Sequence, residues 1–197
     1  MKIYFAGPLF TPYVRQYINE KAAALRAAGI EVFVPHEHLF GSVDLSLLDG
    51  LFEQGVLRRE ELAGRPAEAA LADMVRSGRL RRDQVGLPPI TADLVFDVDC
   101  GGVAGANAVL AILDGTQVDD GTACELGIFF GLLQSDPSKK GIVGLMTDSR
   151  GHRRKETGYG LNYFVLGLVQ EIGVVVDNFE DALQQLLQWD AELKAGR

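Results

Sequence analysis

Cysteine is scarce in this chain. Cys100 and Cys124 are the only two, and they do not form a Cys-x-x-Cys pair. That argues against a disulfide framework and a thiol-exchange motif, and it predicts a reducing, cytoplasmic compartment. Histidine is equally sparse: His36, His38 and His152. His36-Glu37-His38 has ligand-type side chains, but nothing else completes a coordination set, so no metal is expected. Neither GxGxxG nor GxxxxGK[ST] occurs, which removes the dinucleotide and triphosphate cradles. No apolar run approaches the length of a membrane span. The opening MKIYFAGPLF holds one lysine and a short apolar run, and reads as a buried strand rather than a signal peptide. Excess positive charge is absent too. The formal net charge is -8, which argues against a nucleic-acid surface or an anionic membrane as partner. There are no internal repeats and no low-complexity linkers.

What is present is a chain of 197 residues with 47% hydrophobic residues, enough for a packed core. A single domain over residues 1–197 is expected, carrying an insertion at about 41–90. The chain is organised around residues 108–133, AVLAILDGTQVDDGTACELGIFFGLL. Residues 109–113 are apolar without alternation, as in a strand buried on both faces of a parallel sheet. Asp114-Gly115 ends the run. After an acidic loop, Leu126, Phe129, Phe130 and Leu133 fall at helical spacing. The loop therefore lies at the carboxyl end of a strand, where open α/β sheets bind ligands. Asp119 and Glu125 enter that crevice. Asp119 also suits a helix cap, and the two readings stand level on pattern alone. Glu125 lies about one turn into the helix among apolar and small residues. A partly desolvated carboxylate there suits nucleophilic or general-base work.

The remaining elements follow in order. Residues 2–6 form a first strand, broken by Gly7-Pro8. Thr11 and Pro12 start a helix that runs to about residue 28, with Gly29 past its end. Residues 30–34 form a second strand, and a right-handed crossover joins it to the first. Residues 41–90 are long for a connection. They carry helical patterns at 45–52 and 66–77 and mixed charges, which read as a salt-bridged surface or, alternatively, as a lid or phosphate site. A helix starts at Thr91-Ala92-Asp93 and bears Asp99; its apolar stripe is interrupted by Gly101-Gly102. Residues 142–146 form a strand, and 148–160 an exposed loop. Residues 161–172 form a helix with Asn162 at its start and Gly173 as its stop. Residues 174–176 form the last strand, and Asn178 caps a final helix. The simplest arrangement is an α/β, flavodoxin-like, doubly wound five-stranded parallel sheet of order 2-1-3-4-5, with helices on both faces. Its switch point would gather Tyr4, Gly7, Asp114, Asp119 and Glu125.

Five segments together resemble the nucleoside 2-deoxyribosyltransferase family: IYFAGPLF (3–10), Asp99, AVLAILDG (108–115), DDGTACELG (119–127) and GLNYF (160–164). The resemblance implies roles. Glu125 corresponds to the nucleophile that attacks the anomeric carbon. Asp99 corresponds to the acid handling the proton of the leaving base, and Tyr4 to the tyrosine orienting the nucleophile. Asp119 corresponds to the acid holding sugar hydroxyls. Asn162 corresponds to a residue reaching a neighbouring subunit's site, which implies a homo-oligomer. Gly7, Phe10 and Gly121 are expected to line the substrate. Deoxynucleosides and free nucleobases are the implied partners, and no cofactor or metal is implied.

Three functions compete. The first moves 2-deoxyribose between purine and pyrimidine bases with retention of configuration. The second is a deoxynucleoside 5′-monophosphate N-glycosidase, which gives the sugar to water. It needs a phosphate pocket near the first strand-to-helix turn, where Arg15 is the only nearby cation; this favours the first. The third is a non-catalytic nucleoside sensor, against which the full set of acids argues.

Overall fold

The computed structural model describes residues 1–39 and 43–196. Within these, the chain forms two compact units. One comprises residues 1–35 and 97 onward, the other residues 36–96.

The first unit is built on β1 (Lys2–Ala6), β2 (Glu31–Phe33), β3 (Ala108–Ile112), β4 (Gly141–Leu145) and β5 (Gly173–Val176). All pairings are parallel and the order is β2-β1-β3-β4-β5, the doubly wound arrangement expected from the apolar runs. Every residue of β3 and β4 is buried, which accounts for their lack of polar alternation. Side chains still alternate between two cores. Ile3, Phe5, Leu110 and Val143 face α1 (Pro12–Ala27) and α9 (Phe179–Lys194). Tyr4, Ala6, Val109 and Ala111 face the other side. There they meet α5 (Ala92–Gly105), α6 (Asp120–Leu133) and α8 (Tyr163–Ile172) through Val103, Leu126, Phe129 and Val169.

Three local expectations are corrected. The last strand is one residue longer than 174–176: Gly173 ends α8, as expected, and is also the first residue of β5, in extended conformation. A β-carbon there would collide with the carbonyl of Ile142, so glycine is required by close approach rather than by a turn. Residues 148–160 are not an open loop. They form α7 (Ser149–His152), capped by Asp148 accepting from the Arg150 amide, and a 3-10 turn at Lys155–Gly160. A polar sequence held by caps has no apolar period to reveal it. The second strand is shorter than 30–34 because its pairing with β1 spans only residues 31–33.

The second unit has its own core of Val43, Leu51, Leu57, Leu71, Leu80, Val85 and Leu87. Its elements include α2 (Pro35–His38), which begins at the last residue of the first unit, α3 (Leu48–Glu53), α4 (Ala67–Arg76) and three 3-10 turns. Gly41 and Ser42, which begin the expected insertion, lie outside the described residues. Arg65 and Arg76 pair with Asp73, Arg79 with Glu61, and Arg81 with Asp83, as mixed charge on a solvated surface predicts. No described helix is long and apolar enough to cross a membrane.

Candidate active site

β1 brings Tyr4 into register with Val109 on one side and Phe33 on the other. Its side chain is wholly buried in the α5–α6–α8 core. A buried phenol needs a partner, and the Tyr4 hydroxyl donates to Oε1 of Glu125 at 2.6 Å. Burial, the Glu125 charge and this bond push the Tyr4 phenol far up, so it stays protonated and acts as a donor.

Glu125 is the sixth residue of α6. Its Oε2 is buried and has no hydrogen-bond partner among the described residues. Burial raises the carboxyl from 4.5 to about 7, against the lowering effect of the Tyr4 bond, with smaller upward contributions from Asp99 and Asp119. Asp99, on α5, is half-buried and also raised by burial; hydrogen bonding to Tyr4 opposes the rise. Its Oδ1 has no described partner. Two carboxyls thus converge on one phenol. Each is shifted toward neutrality, and each keeps an oxygen available.

Asp119 caps α6, accepting from the Thr122 amide at 3.0 Å and the Thr122 hydroxyl at 3.3 Å. The capping reading therefore describes its geometry, while its charge is felt at Glu125. Gly121 is exposed, and a β-carbon there would sit 3.2 Å from Oδ2 of Asp119, so the glycine keeps that carboxylate open. Gly7 follows β1, and a β-carbon there would be 3.3 Å from Cβ of Ile112, so the chain runs tightly past the end of β3. Phe10 is 80% exposed. Asn162 caps α8, accepting from the amides of Phe164 at 2.9 Å and Val165 at 3.4 Å. Neither Phe10 nor Asn162 bonds to the Tyr4–Glu125–Asp99 cluster. Asp114 also stays out of it. Its carboxylate accepts from the Thr147 amide and hydroxyl and from the Asp148 amide, tying β3 to the end of β4.

Two participants were not visible in the pattern of residues. Phe33 stacks on Tyr4 with ring centroids 5.6 Å apart and an interplanar angle of 17°. Thr122, fully buried, fixes Asp119 through its hydroxyl. The strand register puts Phe33 opposite Tyr4, and no local motif encodes that pairing.

The arrangement offers a buried nucleophile or base (Glu125), a second protonatable carboxyl (Asp99) and a fixed donor between them. A family model described as nucleoside 2-deoxyribosyltransferase matches residues 3–185. No curated protein sequence matches. Among solved structures, the chain is similar to a conserved protein from Enterococcus faecalis V583, with 22% identity and a TM-score of 0.61 over 95% of this chain and 98% of that one. It is also similar to a CMP N-glycosidase of Clostridium botulinum, with 12% identity and a TM-score of 0.42 over 94% and 98% of the two chains. The first likeness shows the shared fold.

Proposed function

We propose, from the premise that this chain belongs to the nucleoside 2-deoxyribosyltransferase family, that it moves 2-deoxyribose between nucleobases through a covalent intermediate on Glu125. The observation that carries this is the 2.6 Å bond from Tyr4 to one oxygen of Glu125 while the other oxygen stays buried and unpartnered. A carboxylate held in this way presents one aimed lone pair.

Cleavage of an N-glycosidic bond builds positive charge on the sugar ring, and a carboxylate beneath the ring stabilises it. The free oxygen of Glu125 attacks the anomeric carbon as the bond to the base breaks. Asp99, whose carboxyl burial shifts toward the protonated form, gives its proton to the departing base. The resulting ester is opened by a nitrogen of the second base, whose proton returns to Asp99. Two inversions at one carbon give retention. Asp119, opened to the site by Gly121, takes the sugar hydroxyls. The same reading includes a homo-oligomer in which Asn162 serves a neighbouring site. The exposure of the adjacent Tyr163 (75%) and Phe164 (81%) supports it.

A second reading is hydrolysis of deoxynucleoside 5′-monophosphates. It draws on the start of α1, where the Thr11 side chain makes no cap to the helix amides. Against it, Arg15 donates to the carbonyl of Leu9 at 2.6 Å and so closes the turn instead of facing a phosphate.

A chromatographic assay of deoxyinosine with free cytosine or adenine separates these readings. Controls are a no-acceptor sample and a deoxynucleoside monophosphate. A new deoxynucleoside that is absent with Glu125→Ala supports transfer. Free sugar as the main product, chiefly from the monophosphate, assigns the protein to the hydrolytic reading.

A further inference from the structure

The Tyr4 ring is not held by Glu125 alone. On its face lies Phe33, stacked at 5.6 Å, with Nζ of Lys2 at 5.7 Å from the Phe33 centroid. The Phe33 ring also touches α5, at Gly102. A β-carbon on Gly102 would fall inside the ring's van der Waals envelope, with Cδ1 at 2.7 Å and Cζ at 2.8 Å. Gly102 lies three residues after Asp99, on the same face of the helix. The end of α5 is anchored separately. The buried Lys139 ammonium donates to the carbonyls of Ala104 at 2.8 Å and Ala106 at 2.7 Å.

We propose that Phe33 and Gly102 are positioning residues that set the separation between Asp99 and the Tyr4–Glu125 pair. The phenyl ring is a spacer of fixed thickness. One edge bears on the backbone of α5, and one face bears on the ring of Tyr4. Gly102 lets the helix come down onto that spacer. A methyl group there has two outlets. It pushes the Phe33 ring, which turns Tyr4 away from Glu125, or it lifts α5. Because Lys139 pins the last turn, lifting is concentrated toward Asp99. The first outlet breaks the Tyr4–Glu125 bond, and the second moves Asp99 away from that pair. Displacements of about an ångström at a reacting centre lower turnover by up to about a hundredfold.

The proposal rests on the transferase reading for its kinetic readout but not for its structural one. The test compares wild type, Gly102→Ala, Phe33→Leu and the double variant in deoxyribosyl exchange, with urea midpoints measured alongside. Gly102→Ala is expected to lower kcat about tenfold or more with KM within about twofold. The double variant should have a kcat no lower than Phe33→Leu alone, because leucine vacates the space the methyl needs; the two changes are then non-additive. A Gly102→Ala protein with a lower urea midpoint but kcat within twofold of wild type would overturn the proposal, since a merely structural glycine behaves in that way. If Gly102→Ala does not fold, Phe33→Leu alone decides. Loss of the stacked spacer should lower its kcat about tenfold, and unchanged kcat overturns the proposal. If wild type shows no exchange, the transferase reading fails, and the positioning is read from the Glu125 carboxyl by carbon-13 NMR titration. Weakening the Tyr4 bond raises the Glu125 midpoint in Gly102→Ala. Lifting α5 instead takes away the upward push of Asp99 and lowers that midpoint; an unchanged midpoint overturns the proposal.

Discussion

Tyr4 and Glu125, 121 positions apart in the chain, meet in a 2.6 Å hydrogen bond in which the phenol is the donor. That bond lowers the Glu125 carboxyl against a larger upward push from burial. Tyr4→Phe removes the donor and leaves the ring. The Glu125 midpoint should then climb above its wild-type position near 7. Since the nucleophile acts as the carboxylate, the acidic limb of the kcat profile moves to higher pH, and kcat near neutrality drops about tenfold. A pH–rate series on both proteins checks this. An acidic limb that stays in place would assign it to another group.

Glu125→Gln should abolish exchange, by about a thousandfold or more. It should also change stability with a definite sign. Below pH 4.5 the acid is neutral in both folded and unfolded chains, so it carries no pH-dependent term. Between 4.5 and about 7 the folded protein holds a proton that the unfolded chain has released. Wild-type stability therefore falls as pH rises through that window, and stays reduced above it. Glutamine removes the term. Thermal midpoints of the variant should match wild type near pH 4 and exceed it near pH 8. Equal midpoints at pH 8 would mean that Glu125 ionises freely in the folded protein.

Asp119 has two separable duties. Asp119→Asn keeps an oxygen for the Thr122 amide but drops the charge. Asp119→Ala loses both. Asparagine should leave the urea midpoint near wild type while raising KM for the deoxynucleoside. Alanine should raise KM as well and lower stability by about 1 kcal/mol. If both variants bind substrate normally, Asp119 is a cap alone.

Gly173→Ala tests the α8–β5 junction. Its β-carbon has no place beside the Ile142 carbonyl. The variant should lose about 3 kcal/mol or more by urea unfolding, through backbone displacement. A loss below about 1 kcal/mol would show that β4 and β5 move apart at little cost.

The strands were legible in the sequence because residues buried on both faces leave uninterrupted apolar runs, as at Val109–Ile112 and Ile142–Val143. The acids were legible because Glu125 stands in a helix whose neighbours are otherwise apolar or small. Asp119 remained ambiguous, since a cap and a ligand-binding acid occupy the same position after a strand. Phe33 was hidden, because its importance comes from strand register and from a glycine on a distant helix. The second unit's core was hidden for another reason. Val43, Leu57, Leu80 and Leu87 lie between its helical segments rather than along one helix, so no window of the sequence shows a continuous face. The helical turns at 149–160 rest on caps rather than on burial.

The pairing of Ile3 with Ala108 has a consequence during synthesis. β1 and β2 leave the ribosome as neighbours and can join early, but the other edge of β1 stays bare until β3 emerges. For that interval the nascent chain carries an unpaired apolar edge, and the intervening residues must be spooled out before it is covered. Chaperone engagement should therefore peak at intermediate chain lengths and fall once residue 112 has cleared the exit tunnel. Tyr4 waits, already made, for the helix that gives it a partner.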